Sequence, residues 1–167
     1  MLNALKTISS LLNNGKQIPE SILNQAIDFS LNFTNTCHHG KEEESLFPTL
    51  EKKGMPREGG PIARMLYEHE ITKTLAESIV KSTKNYISSG EDYTELVKDI
   101  DNYVQHVSLH LSKENQRLFA MADIIFKDQE NQVNNNLTKV EQEKLDKIGN
   151  SREYYEKLIE SINLHDS

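Results

Sequence analysis

A chain of 167 residues can bury one well-packed core and is short for two. Its 19 Lys and Arg against 26 Asp and Glu leave a formal net charge of -7, and no basic cluster interleaved with aromatics offers a footprint for phosphates, so no nucleic-acid partner is expected. The single cysteine, Cys37, rules out an internal disulfide and a thiolate metal cluster. The apolar runs are too short to span a membrane, and Met1 to Leu12 lack the pattern of an export signal, which together predict a soluble, cytoplasmic protein.

Seven glycines and four prolines punctuate long segments of helical periodicity. Met1 to about Leu12 reads as a short amphipathic helix. Pro19, suited to a first turn, opens a second helix that runs to about Lys53, where Gly54 can close it and Pro56 prevents its return. Leu23, Ile27 and Leu31 form an i, i+4 stripe on this helix that continues through His38, Glu42 and Leu46, so its polar cluster faces the core.

A third helix starts at Pro61 and reaches the mid-80s, with Ile62, Met65, Leu66, Ala76, Ile79 and Val80 on its inner face and His69 on the same side. A fourth spans about Tyr93 to Phe126 on Leu96, Ile100, Val107, Leu111, Leu118 and Met121. Along it His106, His110 and Glu114 stack at successive i+4 steps. Asn131 to Asn136 reads as a polar loop, and Thr138 with Glu141 as a capping box that opens a last, highly charged helix reaching about Ile162. The predicted architecture is all-α: one domain over 1–167, with a four-helix up-and-down bundle to about residue 127, a short first helix, and an extra C-terminal helix at about 137–162 packed on its outside.

The second and fourth helices echo each other. His38-His39-Gly40-Lys41-Glu42-Glu43-Glu44-Ser45-Leu46-Phe47-Pro48 and His110-Leu111-Ser112-Lys113-Glu114-Asn115-Gln116-Arg117-Leu118-Phe119-Ala120 share His, Lys-Glu and Leu-Phe at matching positions. In each copy the His and Glu lie one turn apart, where Cβ atoms are roughly 5–6 Å from one another, so both can reach a common ion. Two such helices face to face supply two imidazoles and two carboxylates, and each carboxylate can bridge a pair of metals. Mixed imidazole and carboxylate donors without thiolate suit iron(II) and iron(III), with manganese or zinc as competitors. A solvated charged face would account for one such pair. Two copies on core-facing stripes would bury unpaired titratable groups at high cost unless a cation held them.

These residues, with Gly60-Pro61, Met65-Leu66-Tyr67-Glu68-His69-Glu70 and Met121-Ala122-Asp123, resemble the hemerythrin-like, or HHE cation-binding, domain over roughly residues 1 to 127. The resemblance implies a four-helix bundle enclosing two iron ions, oxo- or hydroxo-bridged. Its implied ligands are His38, Glu42, His69, His110 and Glu114, with Glu42 and Glu114 as the bridges. It further implies a protein that binds or senses oxygen or nitric oxide, or handles iron in redox stress, without turning over an organic substrate. The alternatives are a di-iron enzyme reducing nitric oxide or peroxide with an electron donor, and a helical interaction module with a vestigial metal site.

Two departures accompany the likeness. Similar domains carry a liganding histidine on the first helix, whereas no histidine precedes His38 here. His106, one turn above His110, is the candidate sixth ligand; the alternative is a histidine bonded to a carbonyl. Oxygen-carrying hemerythrins place two histidines four apart on the third helix, and the partner of His69 here is Lys73. That draws the chain toward relatives linked to nitric oxide sensing and repair of iron centres, which often add an N-terminal cysteine-bearing domain; none lies within these residues. His39, about 100° around an α-helix from His38, is expected to pack, to support a ligand from behind, or to bond at the pocket mouth, and Glu43 and Glu44 to be solvated. Cys37 is expected to be a buried small hydrophobe, Tyr67 and Tyr103 to lie in the core, and His165 to have no role.

Overall fold

The computed structural model describes residues 1–89, 92–127 and 129–164, and His165 lies outside them. No strand occurs among the described residues, and no helix among them is long and apolar enough to cross a membrane. Helix α1 covers Leu2–Asn13 and buries Ala4, Leu5, Ile8 and Leu12 from one amphipathic face. Helix α2, over 20–52, is one rod of changing pitch: α-helical at Glu20–Asp28, π-helical at Phe29–His39 and Glu42–Leu46, and α-helical again at Phe47–Lys52. Helix α3 is Pro61–Ser89. Helix α4, over 94–126, is α-helical at Thr94–Lys113 and Ala120–Phe126 with a π segment at Glu114–Phe119 between them.

Spacing explains the packing. Along α4 the buried residues Leu96, Ile100, Tyr103, Val107, His110, Glu114 and Leu118 recur every three or four positions, the period that keeps one face inward. On α3 the matching face carries Ile62, Met65, Glu68, His69, Thr72, Ala76 and Ile79. Burying each large aliphatic side chain contributes about 1.5–3 kcal/mol, and that gain holds the helices together. The apolar side chains form two clusters. One surrounds Leu5, Ile8, Leu23, Ile100 and Tyr103, the other Phe47, Leu50, Ile62, Leu118 and Phe126. Between them lies a layer of buried His and Glu.

The C-terminal part differs from the sequence expectation. Helix α5, Glu130–Ile148, runs straight through Asn131–Asn136, and Thr138 sits inside it, donating its hydroxyl to the Asn134 carbonyl at 2.9 Å rather than capping a new helix. Val133 and Leu137, four residues apart, dock on the cluster around Phe126, and that burial outweighs the low helix propensity of asparagine. Gly149, at φ +79°, ends α5 in a left-handed conformation suited to glycine, and α6 follows at Arg152–Leu164. Thus the extension is two helices rather than one.

Helix α5 is fastened to α2. Lys41 Nζ donates to Glu141 Oε2 at 2.6 Å, Arg152 donates to Glu141 Oε1 at 2.6 Å, and Lys144 pairs with Glu44. Gly40 lies under the Lys144 side chain, and a Cβ there would meet Lys144 Cε at 3.1 Å. Cys37 is buried beneath this contact, with Sγ 3.9 Å from the Glu141 carbonyl, and burial first, then Glu141, pushes its thiol pKa up. Cys37 therefore packs as a small apolar group. Tyr103 is buried in the core, whereas Tyr67 is largely exposed beneath the Arg64 guanidinium.

Candidate metal centre

The buried polar layer gathers residues from three helices. His38, His39 and Glu42 come from α2, His69 from α3, and His110 and Glu114 from α4. The ligand atoms of His39, His69 and His110 lie within 4.8 Å of one another, and so do those of His38, Glu42 and Glu114. Each of the five sequence-predicted ligands is therefore in the layer. His106 is not brought to it through Nε2, since that nitrogen donates to the Glu68 carbonyl oxygen at 3.0 Å.

The two carboxylates stand between the two groups. Glu42 Oε1 lies 3.5 Å from His38 Nε2, and its Oε2 lies 3.3 Å from His69 Nε2. Glu114 Oε2 lies 3.9 Å from His38 Nε2 and 3.7 Å from His110 Nε2. Glu42 and Glu114 are 2% and 1% exposed, too little for water to solvate their charge. Nε2 of His38, His39, His69 and His110, Oε2 of Glu42 and both oxygens of Glu114 have no hydrogen-bond partner. Orphaned buried polar atoms are rare and costly, about 1–3 kcal/mol each. Separations of 3.3–3.9 Å suit donors grouped around ions with bonds of about 2.0–2.2 Å, so this donor set fits a pair of divalent or trivalent cations.

The opposite ring nitrogens are anchored. His69 Nδ1–H donates to Glu43 Oε1 at 2.7 Å, and His110 Nδ1–H donates to Glu68 Oε2 at 3.1 Å. A carboxylate accepts only, so each bond places a proton on Nδ1 and leaves the Nε2 lone pair for a metal. Glu43 is thus engaged with His69 rather than merely solvated, and Glu44 is paired with Lys144. Glu68, 1% exposed and unforeseen from the sequence, also accepts from Arg64 Nε at 2.5 Å and from Lys113 Nζ at 2.7 Å. Its charge is neutralised by these donors, while its second oxygen fixes His110.

His39 packs, one of its expected roles, and does so inside the buried layer. It is 3% exposed, its ring stacks on His69 at 3.8 Å between centroids and 7° between planes, and one of its ring nitrogens lies within 4.8 Å of ring nitrogens of His69 and His110. In a π-helix the turn is wider than the roughly 3.6 residues of an α-helix, so consecutive side chains separate by less than about 100°. Glu42 lies four residues after His38 and three after His39, and both spacings bring side chains together on one face. That double spacing was the readable signal for His39.

Protonation follows from the crowding. Burial opposes a charge on Glu42 and raises its pKa. Burial acts on Glu114 in the same direction, but His38 and the Glu42 carboxyl outweigh it and lower its pKa, so Glu42 is the carboxyl of the pair that holds a proton more readily. Burial disfavours the His69 cation, yet Glu42 and Glu43 overcome that and raise its pKa to about 9. Burial, followed by the neighbouring imidazoles, lowers the pKa of His39 and keeps it neutral. Cations must displace the protons on Glu42 and His69. Metal affinity is therefore expected to rise as pH is raised from about 6 toward about 9, with proton release on binding, as calorimetry in buffers of different ionisation enthalpy would show. Affinity independent of pH would contradict the ligand role of His69.

Two cavities flank the layer. One, of about 230 Å³, is apolar and bordered by Leu2, Phe33, His38, Tyr103, Val107 and Leu111. The other, of about 390 Å³, is polar and reaches His39 and His69 past Glu43, Glu70, Lys73 and Glu77.

Comparison with known proteins agrees with this geometry. Two curated relatives, each an iron-sulfur cluster repair protein YtfE, align with about half of the chain. The Salmonella typhimurium protein is 36% identical over 91 residues, covering 52% of this chain and 41% of the relative. The Cronobacter sakazakii protein is 32% identical over 90 residues, with the same coverage of both chains. The chain thus spans about two fifths of the length of the curated relatives it matches. No solved structure gives a significant match. Residues 1–122 match the hemerythrin HHE cation-binding domain, and with the buried histidines and glutamates in the same stretch the chain belongs to that family.

Proposed function

We propose that this protein holds two iron ions between α2, α3 and α4 and acts in the cytoplasm by binding or sensing oxygen or nitric oxide as part of iron handling under redox stress. The observation that carries this reading is the convergence of buried imidazole nitrogens and carboxylate oxygens, none with a hydrogen-bond partner, beside an apolar cavity. His38, Glu42, His69, His110 and Glu114 would hold the ions, with Glu42 and Glu114 each reaching both. When bound, the iron pair would supply one-electron redox chemistry and an open Lewis-acid position.

The chain's own residues set the conditions. Glu43 and Glu68 orient His69 and His110, and Phe47 and Leu118, both fully buried, exclude water from one side. The cavity beside His38 is walled by Phe33, Tyr103, Val107 and Leu111, which favours a small uncharged molecule over a hydrated ion. A second reading, release of iron for repair of an iron-sulfur cluster, draws on the names of the relatives and on the polar cavity at His39 and His69, whose acidic rim suits a departing cation.

The test is to load the full chain anaerobically with two equivalents of iron(II) and record visible spectra on adding oxygen or nitric oxide. New charge-transfer absorption that reverses on removing nitric oxide is expected. Sustained consumption of nitric oxide or peroxide with a reductant would favour an enzyme, and an unchanged spectrum with both gases would contradict diatomic binding.

A further inference from the structure

We propose that His39 is itself a metal ligand, so that the two cation positions are unequal: His39, His69 and His110 provide three imidazoles at one, and His38 with the carboxylates of Glu42 and Glu114 provides the other. This inference rests on the two-cation reading above and adds to it a ligand and an order of loading.

The geometry is specific to His39. A ring nitrogen of His39 belongs to one cluster with ring nitrogens of His69 and His110, and its Nε2 is buried and has no hydrogen-bond partner. His110 stands edge-on to both other rings, at 5.4 Å from His39 and 5.1 Å from His69 between centroids. His39 and His69 are nearly parallel, so sharing an ion requires the rings to swing about Cβ–Cγ. That torsion is broad for histidine and costs little. His38 faces the other way: its Nε2 is near Glu42 Oε1 and Glu114 Oε2, and its side chain is 28% exposed, far more than those of His69 and His110.

The two positions differ in donors and in shelter. Three imidazole nitrogens at one position favour later first-row divalent ions. One imidazole and two carboxylates that are shared with the neighbouring ion bind such ions more weakly, and the His38 side chain is 28% exposed. The His39 end then loads first.

The experiment is an anaerobic titration of the full chain with cobalt(II), followed by its visible d–d bands and by equilibrium dialysis. Wild type is expected to take up two equivalents in two resolved steps. His39→Phe keeps an aromatic ring against His69 and removes both nitrogens. It is expected to weaken the first step by about 100-fold or more, beyond the effect of losing a carboxylate behind a ligand, with an unchanged circular dichroism spectrum. A His39→Phe titration within about threefold of wild type would reduce His39 to a stacking neighbour and overturn the inference while leaving the two-cation reading intact. Uptake of less than one equivalent by wild type would overturn both. Should His39→Phe fail to fold, nitrogen-15 spectra of zinc-loaded wild type decide: metal-shifted Nε2 resonances for His39, His69 and His110 support the inference, and an unshifted His39 refutes it.

Discussion

Glu114→Ala is expected to reduce the iron held per chain from about two to one or less, and Glu42→Ala to do the same. Each carboxylate lies between His38 and a histidine of the opposite group, so each removal takes donors from both positions. The His38 end suffers most, because its remaining donors are one imidazole and one carboxylate. Glu43→Ala should act differently. It removes the anchor on His69 Nδ1 without touching Nε2, and losses of this kind typically cost about 10–100-fold in affinity. At micromolar iron that variant should keep its stoichiometry while releasing iron faster to a chelator. The thermal difference between iron-loaded and iron-free protein gives an independent reading: ligand at 100 times its Kd stabilises a fold by about 2.7 kcal/mol, and this increment should vanish in Glu114→Ala. Equal iron content in all three variants would sink the bridging assignment.

Glu68→Leu is expected to destabilise the fold by about 1–3 kcal/mol in chemical denaturation. It strands the Nδ1–H of His110, which is wholly buried, and deprives Lys113 and Arg64 of a common acceptor. Lys113 and Arg64 are partly exposed and can turn to water, so the stranded imidazole should dominate the cost. Glu68→Gln separates the roles, since it keeps an acceptor for His110 but loses the charge. The acid limb of stability tells them apart. Burial opposes the Glu68 charge, but Lys113, His110 and Arg64 outweigh it and bring its pKa down to about 2. A depressed carboxylate stabilises the fold above its unfolded pKa of 4.5, and the contribution is lost as pH falls from there toward 2. Glu68→Gln should lack that part of the acid transition. A variant with wild-type stability at neutral pH and an unchanged acid limb would show that Glu68 is incidental.

Much of this arrangement was legible in the residues. The three-and-four spacing of Leu96, Ile100, Val107 and His110 fixes which face of α4 turns inward, and the paired His-x-x-x-Glu spacing brings a His and a Glu together on each helix without reference to tertiary structure. Features that depend on pitch or on partners distant in sequence were hidden. The depth of His39 in the layer is not evident from regular α-helical spacing, because π turns run through Phe29–His39 and Glu42–Leu46. Glu68 looks like one of many helical acids until Lys113, 45 residues away, is seen to meet it. Asn131–Asn136 carries a loop composition but is helical, since Val133 and Leu137 find an apolar surface that local propensity cannot reveal. His106 had two readings in the sequence, and its bond to the Glu68 carbonyl could be found only in three dimensions.

The most direct measurement is the metal content of the full chain purified without oxygen, with no metal added after lysis. Two cation positions built on His38, Glu42, His69, His110 and Glu114 predict about two irons per chain, falling to one or less in Glu114→Ala. Protein that folds with the expected helix content, contains less than about 0.2 iron per chain and takes up none when iron(II) is supplied would contradict a two-cation centre.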